Sequence, residues 1–348
     1  MRIFLLACTL IFTATCYGTG PIPVAGDELM SQSNNIRPAS GSGKVSVIFA
    51  AYAEDQEGLL HTYFLAESIR EFAGQFSAAP IWLYIPEGVN IADTQLTRKF
   101  HDLGVEIKTS HTPKEALRFY FAGKVFAAGR AEADADGKAA VLVWMDEDTV
   151  VLRSPAAFDL PDGICLAYRP VMHNRSGSLY GEPPSAFWDR IYKKLAIADN
   201  KLFPMVTVAD KQTIRAYFNA GLLVVRPERG ILRAWPECFT TLYSDSVLAD
   251  MCDKDEEEKI FLHQTALVGA VLNNAAREEL KELSEEYNYP IFFHQQYESK
   301  APFDDIGDII TLRYDVYFRN PDPQWSQKLK GPAQVVSWLK ARLGRQPK

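Results

Sequence analysis

The chain has 348 residues, 47% of them hydrophobic and 12% aromatic, enough for one large domain or two modest ones. A charged fraction of 23% excludes a disordered chain, and a formal net charge of −7 argues against a nucleic-acid-binding face. Met1 and Arg2 give a positive start, and residues 3–16 (IFLLACTLIFTATC) form an apolar run shorter than the ~20 residues of a spanning helix. Residues 1–18 therefore read as an export signal or a short anchor. They make an exported or secretory-lumen location the expectation, with membrane association only through this N-terminus. Thr13 and Thr15 fit a lipidation box at Cys16 poorly.

Residues 19–44, rich in Gly, Pro, Ser and Asn, read as a flexible lead-in. Residues 45–51 (VSVIFAA) are a continuous apolar run, as in a parallel strand buried on both faces. Helical spacing follows over 59–76, a strand over 80–85, a helix over 94–103 and a strand over 105–108. Pro113 opens a long predicted helix to about residue 133, and 141–144 is a fourth strand. This alternation predicts an α/β fold with a mostly parallel sheet flanked by helices. Beyond it, 164–168 and 221–225 read as strands, and 185–196 and 230–244 as helices. The acidic stretch 250–259 precedes an apolar helix, placing negative charge near a helix N-terminus. The domain is expected to run over 45–325, with a C-terminal amphipathic helix or tail over 326–348. Cys165, Cys238 and Cys252 show no CxxC spacing, which argues against a metal cluster and leaves one disulfide or free thiols open.

The stretch 141–152 (VLVWMDEDTVVL) carries the chemistry. Ligand sites in open parallel sheets lie at the carboxyl ends of strands, and Asp146-Glu147-Asp148 sits at such an end. In an extended segment Asp146 and Asp148 share a face and Glu147 points away. Two hard oxygen ligands suit Mn²⁺ or Mg²⁺, held by carboxylates together with substrate phosphates. An acidic turn is the more ordinary reading of the tripeptide alone. Trp144 and Met145 read as core. His294 after an apolar run has a weak claim as a ligand.

With its surroundings, residues 124–155 resemble the nucleotide-diphospho-sugar transferases of the GT-A fold, near the glycogenin- and galactosyltransferase-like group. Tyr217-Phe218-Asn219-Ala220-Gly221 and the apolar run after it look like the family's FN(S/A)G segment. His263-Gln264 matches its Asp-Gln motif, and Tyr287-Asn288 its later YN element. The resemblance spans roughly residues 45–320 as a single Rossmann-like domain. It implies a glycosyltransferase with a nucleotide-sugar donor, UDP-linked, and a carbohydrate, protein or lipid acceptor. Asp146 and Asp148 would hold the metal. Ala51, Tyr52, Lys124, Asp146 and Arg313 would face the donor, with Tyr52 stacking on the base and Lys124 on the diphosphate. Asn219, Gly221, His263 and Gln264 would face sugar or acceptor, and the loop 173–177 the acceptor side.

Two departures stand out. The Asp of Asp-Gln is His263 here. The late His-x-x-Gly-x-Lys-Pro-Trp element is absent, and residues 309–315 offer Arg313, which binds phosphate rather than metal. Spacing identifies no catalytic base. A sugar-phosphate nucleotidyltransferase would want a Gly-rich loop after the first strand, and AAYAEDQEG is not one. The remaining alternative is an exported carbohydrate- or nucleotide-binding protein with a degenerate site. It draws on the conflict between an export signal and a cytoplasmic supply of nucleotide sugars, which a eukaryotic secretory lumen would resolve.

Overall fold

The run Val45–Tyr52 (β1) is an interior strand of a seven-stranded sheet, and its alternate side chains feed two different cores. Ile48 and Ala50 face one layer of helices, Val47 and Phe49 the other. This is why the run is apolar throughout rather than alternating. The computed structural model describes residues 45–89, 91, 94–291, 293, 302–314 and 329–343. The expectations for residues 1–44 and for His294 lie outside them.

The first half alternates as predicted: Gln56–Phe72 (α1), Ile81–Pro86 (β2), Thr94–Asp102 (α2), Val105–Ser110 (β3), Ala122–Ala135 (α3) and Ala139–Met145 (β4). The chain continues through Thr149–Val151 (β5), Leu166–Pro170 (β6), Ala186–Lys194 (α4) and the hairpin Pro204–Val206 (β7) with Thr213–Arg215 (β8). Phe218–Val225 (β9), Ile231–Tyr243 (α5), Ser246–Lys254 (α6) and Glu256–Asn274 (α7) come next. Leu280–Glu282 (β10), Tyr289–Pro290 (β11), Thr311–Arg313 (β12) and Ala333–Leu343 (α8) complete the described elements. The large sheet has the order β10-β6-β9-β4-β1-β2-β3. All its pairs are parallel except those of β9, which runs antiparallel to β4 and β6. The expected mostly parallel sheet flanked by helices is thus observed. A small sheet, β11-β12-β5, stands beside it, and Trp338 and Leu339 of α8 pack in its core. No helix among the described residues is long and apolar enough to cross a membrane.

Two expectations are corrected. Helix α1 begins earlier than predicted because the Asp55 side chain accepts from Gly58 N at 2.9 Å, and it ends before Gly74, whose φ of +58° stops it. No long helix starts at Pro113. A 3₁₀ turn covers Ala116–Arg118, and Phe121, with φ +60° and ψ +16°, breaks the chain before α3. The acidic stretch 250–259 does place negative charge at a helix N-terminus, with Glu256, Glu257 and Glu258 in the first turn of α7, while its first residues end α6. Asp255 caps α7, accepting from Glu257 N and Glu258 N at 2.9 and 3.2 Å. Cys165, Cys238 and Cys252 are free thiols, and burial pushes Cys252 up to about 12.

Asp245 joins α4 to α6. It accepts from Arg190 Nε and Nη2 at 2.8 and 2.7 Å, meets Lys194 Nζ at 2.6 Å, and caps α6 through Val247 N and Leu248 N. The Arg190 hydrogen bonds hold its carboxyl far below the usual range. Its stabilising contribution is therefore full above about pH 4, where the unfolded-state carboxyl is ionised, and is lost as pH falls below that. Asp245→Ala is expected to cost about 2–3 kcal/mol in urea unfolding at pH 7. The same comparison at acid pH should show a smaller difference; an equal cost at both would contradict the ion-pair account.

Candidate functional site

The site is built at the carboxyl end of β4. Met145 is the last paired residue, and Asp146 N donates to Gly221 O on β9 at 2.9 Å. Thr149 N then donates to Asp146 O at 3.1 Å, so Asp146, Glu147 and Asp148 form a turn. The extended-segment argument for a shared face does not apply here. The two aspartates nevertheless converge, because β12 pairs antiparallel with β5 and sets Arg313 opposite Thr149. Arg313 Nη2 lies 3.8 Å from Asp146 Oδ2, and its Nε lies 3.5 Å from Asp148 Oδ2. From the other side Lys124 Nζ reaches Asp146 Oδ1 at 2.5 Å.

These four charges are largely withdrawn from water. The side chains of Lys124 and Asp146 are each 10% exposed, Asp148 11% and Arg313 23%. At such distances an opposite pair attracts by about 4 kcal/mol for an effective dielectric near 20, so neither partner is spectator charge. Lys124 stands in the first turn of α3, where the helix dipole favours anions. A cation buried there calls for negative charge in front of it. Burial, with Asp148 and Asp146 next, raises the half-buried Glu147 well above the usual carboxylate range.

Asn219 and Gly221 complete the floor. Asn219 Oδ1 accepts from Gly221 N at 2.8 Å and from Asn288 Nδ2 at 3.1 Å. Asn288 N in turn donates to Thr311 Oγ1 at 2.6 Å, tying β9 to the small sheet. A Cβ at Gly221 would lie 2.9 Å from Asp146 Oδ2, 3.0 Å from Asn219 Oδ1 and 3.5 Å from Arg313 Nη1. Gly221→Ala is expected to push these groups apart and to lower kcat/KM at least about tenfold, with stability changed by about 1 kcal/mol or less. Kinetics and thermal unfolding on the same sample check it; unchanged kinetics would contradict the close approach.

His263 and Gln264 come from α7. His263 is 4% exposed and its Nδ1 lies 2.8 Å from the carbonyl oxygen of Ile260. Only an N–H can satisfy that carbonyl, so Nε2 is left as an acceptor. Burial, and then Lys124, hold its pKa well below the ordinary histidine value, keeping the ring neutral. Gln264 Oε1 accepts from Ala220 N at 3.3 Å.

A cavity of about 200 Å³ brings together seven of the predicted residues: Lys124, Asp146, Asn219, Gly221, His263, Gln264 and Arg313. Asp148 stands behind Arg313. Ala51 and Tyr52 are not on its wall: Ala51 is 1% exposed, and Tyr52, 7% exposed, packs its hydroxyl against Gly123 of α3. His173, Arg175 and Ser176 line the cavity, so the loop 173–177 lies at the site, half-buried except at Arg175. Sequence reasoning missed Phe121, Tyr217 and Phe261 on the same wall. Tyr217 adjoins the Phe218-Asn219 motif and Phe261 lies two residues before His263, but aromatic residues beside a motif are most often core.

No group of three or more His, Cys, Asp or Glu residues able to hold a metal exists among the described residues. Asp146 Oδ2 and Asp148 Oδ2 both face the Arg313 guanidinium, at 3.8 Å from Nη2 and 3.5 Å from Nε. A divalent ion taking two carboxylates and completing its shell from a substrate diphosphate fits that donor set.

The chain matches the model of the Rhodobacterales glycosyltransferase domain over residues 51–273. Among solved structures, the galactosyltransferase LgtC, determined with donor and acceptor sugar analogues, is 14% identical, with 77% of this chain and 86% of that one covered and a TM-score of 0.43. The glycosyltransferase GlyE of Streptococcus pneumoniae TIGR4 is 15% identical, with 86% and 61% covered and a TM-score of 0.43. Mouse xyloside xylosyltransferase 1 is 11% identical, with 78% and 97% covered and a TM-score of 0.41. No curated protein matches the chain. The family match spans well over half of the 348 residues and includes Lys124, Asp146, Asp148, Asn219, His263 and Gln264. The chain is a GT-A-like α/β enzyme and belongs to the Rhodobacterales glycosyltransferase-domain family.

Proposed function

We propose that this glycosyltransferase moves a hexose from a UDP-linked donor to a carbohydrate-bearing acceptor, with the donor diphosphate lying against Lys124 and Arg313. One observation carries the reading. Two cations withdrawn from water flank a pair of aspartates at the carboxyl end of β4, with Lys124, Arg313 and Asp146 on the cavity wall and Asp148 behind Arg313. In transfer the bond between C1 of the sugar and the diphosphate oxygen breaks, and UDP leaves with the electron pair. The acceptor hydroxyl forms the new bond to C1 and releases its proton to solvent water. Lys124 and Arg313 face the oxygens on which negative charge grows. Asp146 and Asp148 would hold Mn²⁺ or Mg²⁺, which supplies further positive charge to the leaving diphosphate. Neutral His263 offers Nε2 to a sugar hydroxyl, and Asn219 is held rigid by Asn288 to orient the donor sugar.

A panel of UDP-sugars incubated with the chain and Mn²⁺ tests this. The expected result is release of UDP from one donor above the others, lost in Arg313→Ala. Release from none above the protein-free rate would contradict transfer and favour a binding protein with a retired site. Residues 1–18 are proposed to direct the chain to export or a secretory lumen, or to anchor it. Sequencing the N-terminus of the cell-purified protein checks this: a start near residue 19 indicates cleavage and Met1 an anchor, while an intact chain wholly in the soluble cytosolic fraction would sink both.

A further inference from the structure

We infer that Phe121 is the stacking platform for a pyranose ring of the acceptor. The inference rests on the transferase reading above and adds the residue that engages the acceptor. Phe121 combines three features that packing alone does not explain. Its backbone is left-handed, with φ +60° and ψ +16°, a conformation bulky residues seldom adopt and one that folding must hold against a cost. The residue is 46% exposed, whereas Lys124 and Asp146 on the same wall are each 8% exposed. A large apolar ring left in water returns little of the hydrophobic stabilisation that could offset a strained backbone. Finally, the ring is fixed in place. Its centroid lies 4.6 Å from that of His263, at an interplanar angle of 46°, and Lys124 Nζ lies 5.6 Å from it.

The position suits the chemistry. Phe121 stands one helical turn before Lys124, on the same wall of the cavity, so its ring lies beside the ammonium expected to meet the diphosphate. A pyranose has an apolar face of C–H bonds and an edge of hydroxyls. The cavity offers both kinds of surface: the rings of Phe121 and Phe261, and the polar groups of Asn219, Gln264 and Arg175. An aromatic side chain supplies such contact at little conformational cost.

The test uses UDP and four glycosides (methyl glucoside, methyl galactoside, lactose and maltose). Binding of each glycoside to the UDP-loaded protein is followed by saturation-transfer NMR at high millimolar concentration. At least one should bind. Phe121→Gly should weaken that binding about tenfold or more, and Phe121→Trp should keep it within about threefold. UDP affinity should be unchanged in both variants. Because glycine is at ease at positive φ, Phe121→Gly should unfold no earlier than the wild type. Equal glycoside binding by Phe121→Gly, or UDP binding with none of the four glycosides binding, would overturn the platform alone. Failure of the wild type to bind UDP would overturn the donor reading and this inference with it.

Discussion

Asp146→Asn is expected to lower kcat/KM about 10²–10³-fold, the largest kinetic effect of any single polar substitution in this site. The asparagine keeps the shape of the aspartate, so the change is one of charge. Lys124 Nζ, now 2.5 Å from Asp146 Oδ1, would lose its closest anion while remaining buried. An unpaired buried cation is costly, so stability should also fall, by about 1–3 kcal/mol. Arg313 keeps its contact with Asp148, so the damage is expected on the Lys124 side of the cluster. Lys124→Met/Asp146→Asn should then be more stable than Asp146→Asn alone, because it removes the stranded cation, yet no more active. Steady-state kinetics and urea unfolding on the three proteins check both halves. Wild-type kcat/KM in Asp146→Asn would remove this carboxylate from the machinery.

Gly123→Ala is expected to be the most damaging methyl that can be added near the site. An ideal Cβ there would lie 2.0 Å from Tyr52 Oη, 2.5 Å from Cζ and 2.8 Å from Cε1, well inside contact. Tyr52 cannot swing away: it is 7% exposed and ends the interior strand β1, paired with Tyr84. Helix α3 must therefore lift off β1, and Lys124 with it. The expected cost is about 3 kcal/mol or more, a fall in Tm of about 5–10 °C. Tyr52→Leu shortens the opposing side chain, so Gly123→Ala/Tyr52→Leu should be more stable than Gly123→Ala alone. Thermal unfolding of both variants reads this directly. An unchanged Tm in Gly123→Ala would contradict the packing.

The legible parts of the fold are those set by local pattern. β1, β2 and β4 are apolar on both faces because both faces are buried, and their alternation with helices fixes a parallel sheet. The legible parts of the site are those tied to strand ends: Asp146 after β4, Asn219 and Gly221 in β9. What could not be read depends on contacts distant in sequence. β5 and β12 are three residues each, and Thr149 meets Arg313 across half the chain. Extended-strand alternation therefore reached the convergence of Asp146 and Asp148 for the wrong reason, since a turn and an arginine bring them together. The break at Phe121 is a backbone choice made against helix-forming neighbours. No propensity announces it, and the Pro113 helix was overextended for that reason.

The measurement that bears most directly on the central claim is calorimetric titration of UDP into the purified protein, with and without Mn²⁺, beside Asp146→Ala/Asp148→Ala. The account predicts binding that Mn²⁺ strengthens and that the double variant loses, with the two aspartates, Lys124 and Arg313 acting as one diphosphate site. No UDP binding under either condition, or equal binding by the double variant, would contradict it.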